Sequence, residues 1–149
     1  MVMPEKKILV VDYDQASLES LTRILKDLKV QVIQATDGAQ AYDLFKEEKP
    51  DLVILEAILP KLHGFDLTKK ISQESKGTVP VIIITGLYKG PQYKHEAMTN
   101  LGASEYLEKP VNPEVLLEAV NRLLAAEEDI EDVLPDLETV IALVSTRGK

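Results

Sequence analysis

The chain has 149 residues, with 25 Asp and Glu against 17 Lys and Arg, a formal charge of -8. That length suits one domain with its own core, and an acidic chain without a basic cluster argues against a duplex-binding face, which needs Lys and Arg gathered on one side. Cys is absent, which excludes disulfides, thiolate metal sites and thiol nucleophiles; no apolar run approaches the roughly 18 residues of a membrane span, and residues 1–7 lack a signal-peptide pattern, so a cytoplasmic protein is expected.

In chain order, a first apolar run at 8–11 (Ile-Leu-Val-Val) predicts a buried strand, and Leu18, Leu21, Leu25 and Leu28 form a helical stripe after it. A second strand is predicted over 30–35; Asp37-Gly38 then opens a helix striped by Ala41, Leu44 and Phe45. After Pro50 comes a third strand at 52–55, and Gly64 opens a helix carrying Phe65, Leu67 and Ile71. Pro80 precedes a fourth strand at 81–84, Pro91 opens a fourth helix, and a weaker strand lies around 105–107. Beyond Pro110, a last stripe runs through Leu116, Ala119, Val120 and Leu123. Runs apolar on both faces suit a parallel sheet. Five alternations of strand and helix point to a doubly wound α/β domain.

Charge divides the chain. Residues 1–126 carry 18 acidic and 15 basic side chains, whereas 127–149 carry 7 acidic and 2 basic. A domain-sized body at 1–126 is therefore expected to end in an acidic linker and a short helix from about 136 to 145, striped by Leu137, Ile141 and Val144 and set off by Pro135. Such a stripe needs cover, from its own domain or from a second chain in a homodimer.

In doubly wound sheets chemistry gathers outside the carboxyl ends of the strands. Here those ends carry Asp12, Tyr13 and Asp14; Glu56 and Ala57; Thr85 and Gly86; and Glu108, Lys109 and Pro110. Three carboxylates, a hydroxyl and an ammonium at one pocket suggest phosphoryl chemistry: acids can hold Mg²⁺, Lys109 can neutralise an anionic oxygen, and Thr85 can donate to it.

The ordered set Lys7-Ile8-Leu9-Val10-Val11-Asp12, Pro50 to Leu55, Leu59-Pro60 to Gly64-Phe65, Thr85, Gly102-Ala103 and Tyr106-Leu107-Glu108-Lys109-Pro110 resembles the receiver domain of two-component response regulators, over residues 6 to about 126. The resemblance implies a flavodoxin-like five-stranded sheet in the order 2-1-3-4-5. It also implies an aspartate at the end of the third strand that accepts a phosphoryl group from a histidine kinase with the help of Mg²⁺. In that family the residues matching Thr85 and Tyr106 switch a partner surface formed by the fourth helix, fifth strand and fifth helix, and the residue matching Lys109 contacts the phosphoryl group.

Two departures strike the same reaction. Glu56 stands where the family has its acceptor Asp, and Tyr13 replaces the second of two adjacent metal-binding acids. The extra methylene carries the carboxylate about 1.5 Å further, and misplacement of about 1 Å can cost around a hundredfold in an in-line transfer. A neutral phenol is a poor ligand for a hard cation. The expectation is a degenerate receiver without ordinary phosphorylation, not an enzyme, needing no cofactor; if Mg²⁺ binds, Asp12 and Glu56 hold it, with Asp14 as a further acid of the pocket. Glu56 and Lys109 are expected to form a structural ion pair, the alternative being that Glu56 substitutes for a phosphorylated aspartate. Rival readings are a working Mg²⁺-dependent phosphoacceptor and the input half of a longer DNA-binding regulator.

The remaining candidates are weaker. His63 and His95 are each expected to be solvated rather than ligands. Tyr88, Tyr93 and Tyr106 lie on or beside the expected protein-partner surface, and Tyr106 is equally readable as a packing residue. No Gly-rich phosphate loop or nucleophile elbow occurs.

Overall fold

The computed structural model of the chain describes the backbone of residues 5–133 and the side chains of residues 5–125. Ten elements alternate: β1 (Lys6–Val11), α1 (Gln15–Leu25), β2 (Val30–Ala35), α2 (Gly38–Glu48), β3 (Leu52–Glu56), α3 (Gly64–Ser75), β4 (Val81–Thr85), α4 (Pro91–Asn100), β5 (Glu105–Glu108) and α5 (Pro113–Val133). The five strands form one parallel sheet in the order β2-β1-β3-β4-β5.

The two-residue period of the strands sorts their side chains into two cores. Ile8, Val10, Leu52, Ile54, Ile82 and Ile84 face one side, where Leu18, Leu21 and Leu25 of α1 meet Leu116, Ala119 and Val120 of α5. Leu9, Val11, Val53, Leu55, Val81 and Ile83 face the other, covered by Ala41 of α2, Leu67 and Ile71 of α3 and Ala97 of α4. Central strands β3 and β4 are buried at every position. That is why they read as unbroken apolar runs rather than as an alternation.

Helix starts follow local chemistry. The Asp14 and Asp37 side chains accept the N–H of Ser17 and Gln40, capping α1 and α2, and Pro91 occupies the first turn of α4, where its missing N–H costs nothing. Periodicity extended the first helix to Leu28, but α1 stops at Leu25; the chain turns there, Leu28 N–H donates to the Leu25 carbonyl, and Leu28 still packs half-buried on the α1–α5 core. At the other end α5 continues to Val133, so the segment expected as a linker from 127 is helical over its first residues. The short helix expected at 136–145 lies outside the described residues.

Because all strands are parallel, their carboxyl ends share one edge. From β1 the chain goes outward to β2 and returns across the sheet to β3, and the helices that make these crossovers, α1 and α2, lie on opposite faces. The crevice at this reversal of strand order, between Val11 and Glu56, is where such sheets place their sites. Gly64 tightens it: its N–H donates to the Ala57 carbonyl at 2.8 Å, and a Cβ at this position would run into the backbone of Glu56 and Ala57.

Candidate functional site

At the crevice, β1 and β3 each end in a buried acid: Asp12 is 1% exposed and Glu56 4%. Lys109, which follows β5 on a cis peptide bond to Pro110, reaches between them. Its Nζ lies 2.9 Å from Asp12 Oδ2 and 2.9 Å from Glu56 Oε2, with Ser17 Oγ at 3.4 Å. The remaining oxygens are also used, Asp12 Oδ1 accepting the Asp14 N–H at 2.9 Å and Glu56 Oε1 the Ile58 N–H at 3.4 Å. Burial alone would pull the Lys109 ammonium down, but the hydrogen bonds and charges of Glu56 and Asp12 outweigh it and raise its pKa above the ordinary lysine value.

Asp14 belongs to a different arrangement. Exposed at the mouth, it accepts from the Ser17 N–H at 3.1 Å and the Ser17 hydroxyl at 2.8 Å, and these bonds lower its pKa. Its carboxylate is turned toward α1 as a cap instead of joining Asp12 and Glu56. Tyr13 projects outward, 56% exposed. Together with Ser17, Ile58, Gly86 and Leu87, these residues rim an open cavity of about 400 Å³ floored by Glu56 and Lys109.

This donor set does not fit Mg²⁺. A hard cation wants several oxygen ligands with free lone pairs, whereas the two inward carboxylates share one ammonium, the third acid caps a helix, and the phenol of Tyr13 faces solvent. Among the described residues no group of three or more His, Cys, Asp or Glu side chains is placed to hold a metal ion.

Thr85, fully buried, makes no side-chain hydrogen bond to Lys109 or Glu56 among the described residues; its Oγ1 accepts the N–H groups of Leu87 and Tyr88 at 3.2 and 3.1 Å. The Tyr88 carbonyl in turn accepts the Tyr106 hydroxyl at 2.6 Å. One loop residue, Tyr88, thus joins Thr85 to Tyr106 through its own N–H and carbonyl, and the Tyr106 ring is buried under the β4–α4 loop. Burial, then the charges of Glu108 and Glu56, push the Tyr106 pKa up to about 12. Around Tyr88 gather His63, Phe65 and Tyr93, with ring centroids 5.2–5.8 Å away.

Sequence reasoning brought Asp12, Glu56 and Lys109 to one place and Thr85 to the neighbouring loop. It missed Ser17, although Asp14-x-x-Ser17 is a capping spacing that was there to be read. It also misjudged His63. Instead of lying in solvent, that ring is half-buried, caps α3 by accepting the Phe65 N–H on Nδ1 at 3.1 Å, and packs on Phe65 and Tyr88. His95 is exposed on α4.

Known proteins share this arrangement of elements. Protein PilH of Pseudomonas aeruginosa is 34% identical over 120 residues, covering 80% of this chain and 98% of that protein. The alkaline phosphatase synthesis transcriptional regulatory protein PhoP of Bacillus subtilis is 34% identical over 123 residues, 83% of this chain but 50% of that protein; the chain spans about half the length of several such regulators. Among solved structures, a CheY-like receiver domain protein from Methanospirillum hungatei superposes with a TM-score of 0.77 at 31% identity, over 85% of this chain and 98% of that one. The BeF3-activated DrrB receiver domain gives 0.73 at 31% identity, over 82% and 99%. Residues 8–121 match the family model described as the response regulator receiver domain. The chain therefore belongs to the response regulator receiver domain family, the signalling module of two-component systems.

Proposed function

We propose that this receiver works in the cytoplasm as a protein-interaction module, through the face formed by α4, β5 and α5, and is not phosphorylated in the ordinary way at Glu56. The observation that carries the reading is the single ammonium of Lys109 held at 2.9 Å from both Asp12 and Glu56. A carboxylate that is to attack phosphorus must present a free oxygen along the line of attack, and a neighbouring cation must offset the charge of the incoming phosphoryl group. Here the acceptor position is almost wholly buried with both oxygens engaged, and the one cation is already matched by two anions.

The same geometry supports a structural role for Glu56 over mimicry of a phosphoryl group. A mimic would have to accept the Thr85 O–H, yet among the described residues the Glu56 oxygens bond the Lys109 ammonium and the Ile58 N–H and not Thr85. One carboxylate also brings one charge and two oxygens, against nearly two charges and three oxygens for phosphate.

The test is incubation of the full chain with Mg²⁺ and a small phosphodonor, followed by intact mass measurement. An unmodified mass is expected. A single phosphoryl adduct would overturn the proposal and favour the rival of a working phosphoacceptor.

A further inference from the structure

His63 lies at the start of α3, on the loop that follows Glu56, and its geometry ties it to the other side of the site. Three observations meet there. Nδ1 accepts the Phe65 N–H at 3.1 Å, a bond that requires that nitrogen to carry no proton. The ring packs edge-on to Phe65 at 5.2 Å and against Tyr88 at 5.8 Å. Tyr88 is the residue whose N–H is held by Thr85 and whose carbonyl holds the Tyr106 hydroxyl.

We propose that His63 is a protonation-sensitive buttress of the Thr85–Tyr88–Tyr106 connection. Neutral, it caps α3 and backs the Tyr88 ring. Protonated, Nδ1 becomes a donor facing another donor, and a positive charge stands at the helix end where the backbone dipoles are already positive. The imidazolium must then leave the cap, which removes one wall of the Tyr88 ring and loosens the carbonyl that fixes Tyr106. Histidine is the side chain whose charge ordinarily changes between about pH 5 and 8.

The charged and titratable groups around the ring do not duplicate this role. On its own loop Lys61 is paired with Asp37 of the α2 cap at 3.7 Å. From α3 comes Asp66 in the first turn. The β4–α4 loop contributes Tyr88 and the exposed Lys89, and behind Tyr88 stand Tyr93 of α4 and Tyr106 of β5.

The experiment is an NMR titration of the full chain, labelled in its histidine and tyrosine rings, between about pH 5 and 8. The Tyr88 and Tyr106 ring resonances, identified by their loss in Tyr88→Phe and Tyr106→Phe, are expected to move with the same midpoint as the His63 Cε1–H. In His63→Asn, where the side chain can cap but not titrate, that movement should vanish; in His95→Asn it should persist. Tyr106 resonances that stay fixed through the His63 transition would overturn the proposal, as would movement that survives in His63→Asn. Should His63→Asn fail to fold, the wild-type titration decides alone. Neither result depends on whether Glu56 accepts a phosphoryl group.

Discussion

Replacing Lys109 by Met removes the shared cation and leaves Asp12 and Glu56 buried together. Both oxygens lie 2.9 Å from the same nitrogen, so they stand at most about 6 Å apart, and at an effective dielectric of about 20 two unit charges at that distance repel by about 3 kcal/mol. Removing one partner of a buried ion pair costs about 3–5 kcal/mol. The Lys109 side chain is 26% exposed, so water screens part of the field and the lower end applies, about 3 kcal/mol at neutral pH. The loss has a signature. With the ammonium gone, one carboxylate gains a proton more readily in the folded chain than in the unfolded one, so the deficit shrinks as pH falls. Urea unfolding of wild type and Lys109→Met at neutral and mildly acidic pH measures both effects. The double variant Lys109→Met, Glu56→Gln, which leaves a single buried carboxylate, should regain much of the loss. If Lys109→Met lies within about 0.5 kcal/mol of wild type at neutral pH, the range of ordinary surface changes, Lys109 is not the counterion of this pocket.

Other consequences concern the elements around the pocket. Tyr106 holds its proton up to about pH 12 when folded, against 10.0 ordinarily, so the unfolded chain ionises first and stability falls as pH climbs through that interval; Tyr106→Phe should cost about 1 kcal/mol at neutral pH yet flatten the alkaline decline in denaturation midpoints. The raised Lys109 pKa acts in the same alkaline direction, its contribution being complete below the ordinary lysine value and lost as pH rises through the folded one. Helix α4 buries only Ala97 and has no side-chain cap, so its amides should exchange with solvent faster than those of α3, which buries Leu67 and Ile71; equal protection would refute this. Gly64→Ala drives a methyl into the backbone of Glu56 and Ala57 and should lower stability by about 1–3 kcal/mol, measured by thermal melting.

The parts of the fold most legible in the sequence are those in which composition and burial coincide. Ile82 and Ile84 face one core and Val81 and Ile83 the other, so β4 announces itself as an apolar run. By contrast α4 has almost no stripe, because the sheet needs only Ala97 and part of Tyr93 from it, and its start was readable from Pro91 alone. The first helix read long because Leu28 is apolar for a tertiary reason, packing on the α1–α5 core after the helix has ended. In the site, Asp12, Glu56 and Lys109 were findable because topology delivers strand ends to one edge, although 97 residues separate the outer two. The roles of His63 and Tyr88 were not, since each depends on how a loop folds back on its neighbour: an imidazole accepting an N–H two residues on, and a main-chain carbonyl meeting a phenol from β5.

The pocket holds two networks that no side-chain hydrogen bond joins among the described residues: Lys109 with Asp12, Glu56 and Ser17, and Thr85 with Tyr88 and Tyr106. Their contact is electrostatic, since the Glu56 charge is one of the lesser causes of the raised Tyr106 pKa. Glu56→Gln therefore separates the structural role of Glu56 from mimicry of a phosphoryl group. Removing one anion leaves Lys109 paired one-to-one with Asp12, so stability should change by no more than about 1 kcal/mol. The Tyr106 pKa should drift down from about 12, because a nearby negative charge no longer opposes ionisation, while the ring stays buried on the Tyr88 carbonyl. Ultraviolet titration of the tyrosinate, with Tyr106→Phe as the reference, reports the first effect, and solvent accessibility of the Tyr106 ring by NMR reports the second. A ring released to solvent in Glu56→Gln would mean that the Glu56 charge itself holds Tyr106 inward, which is the behaviour of a phosphoryl substitute and not of a structural ion pair.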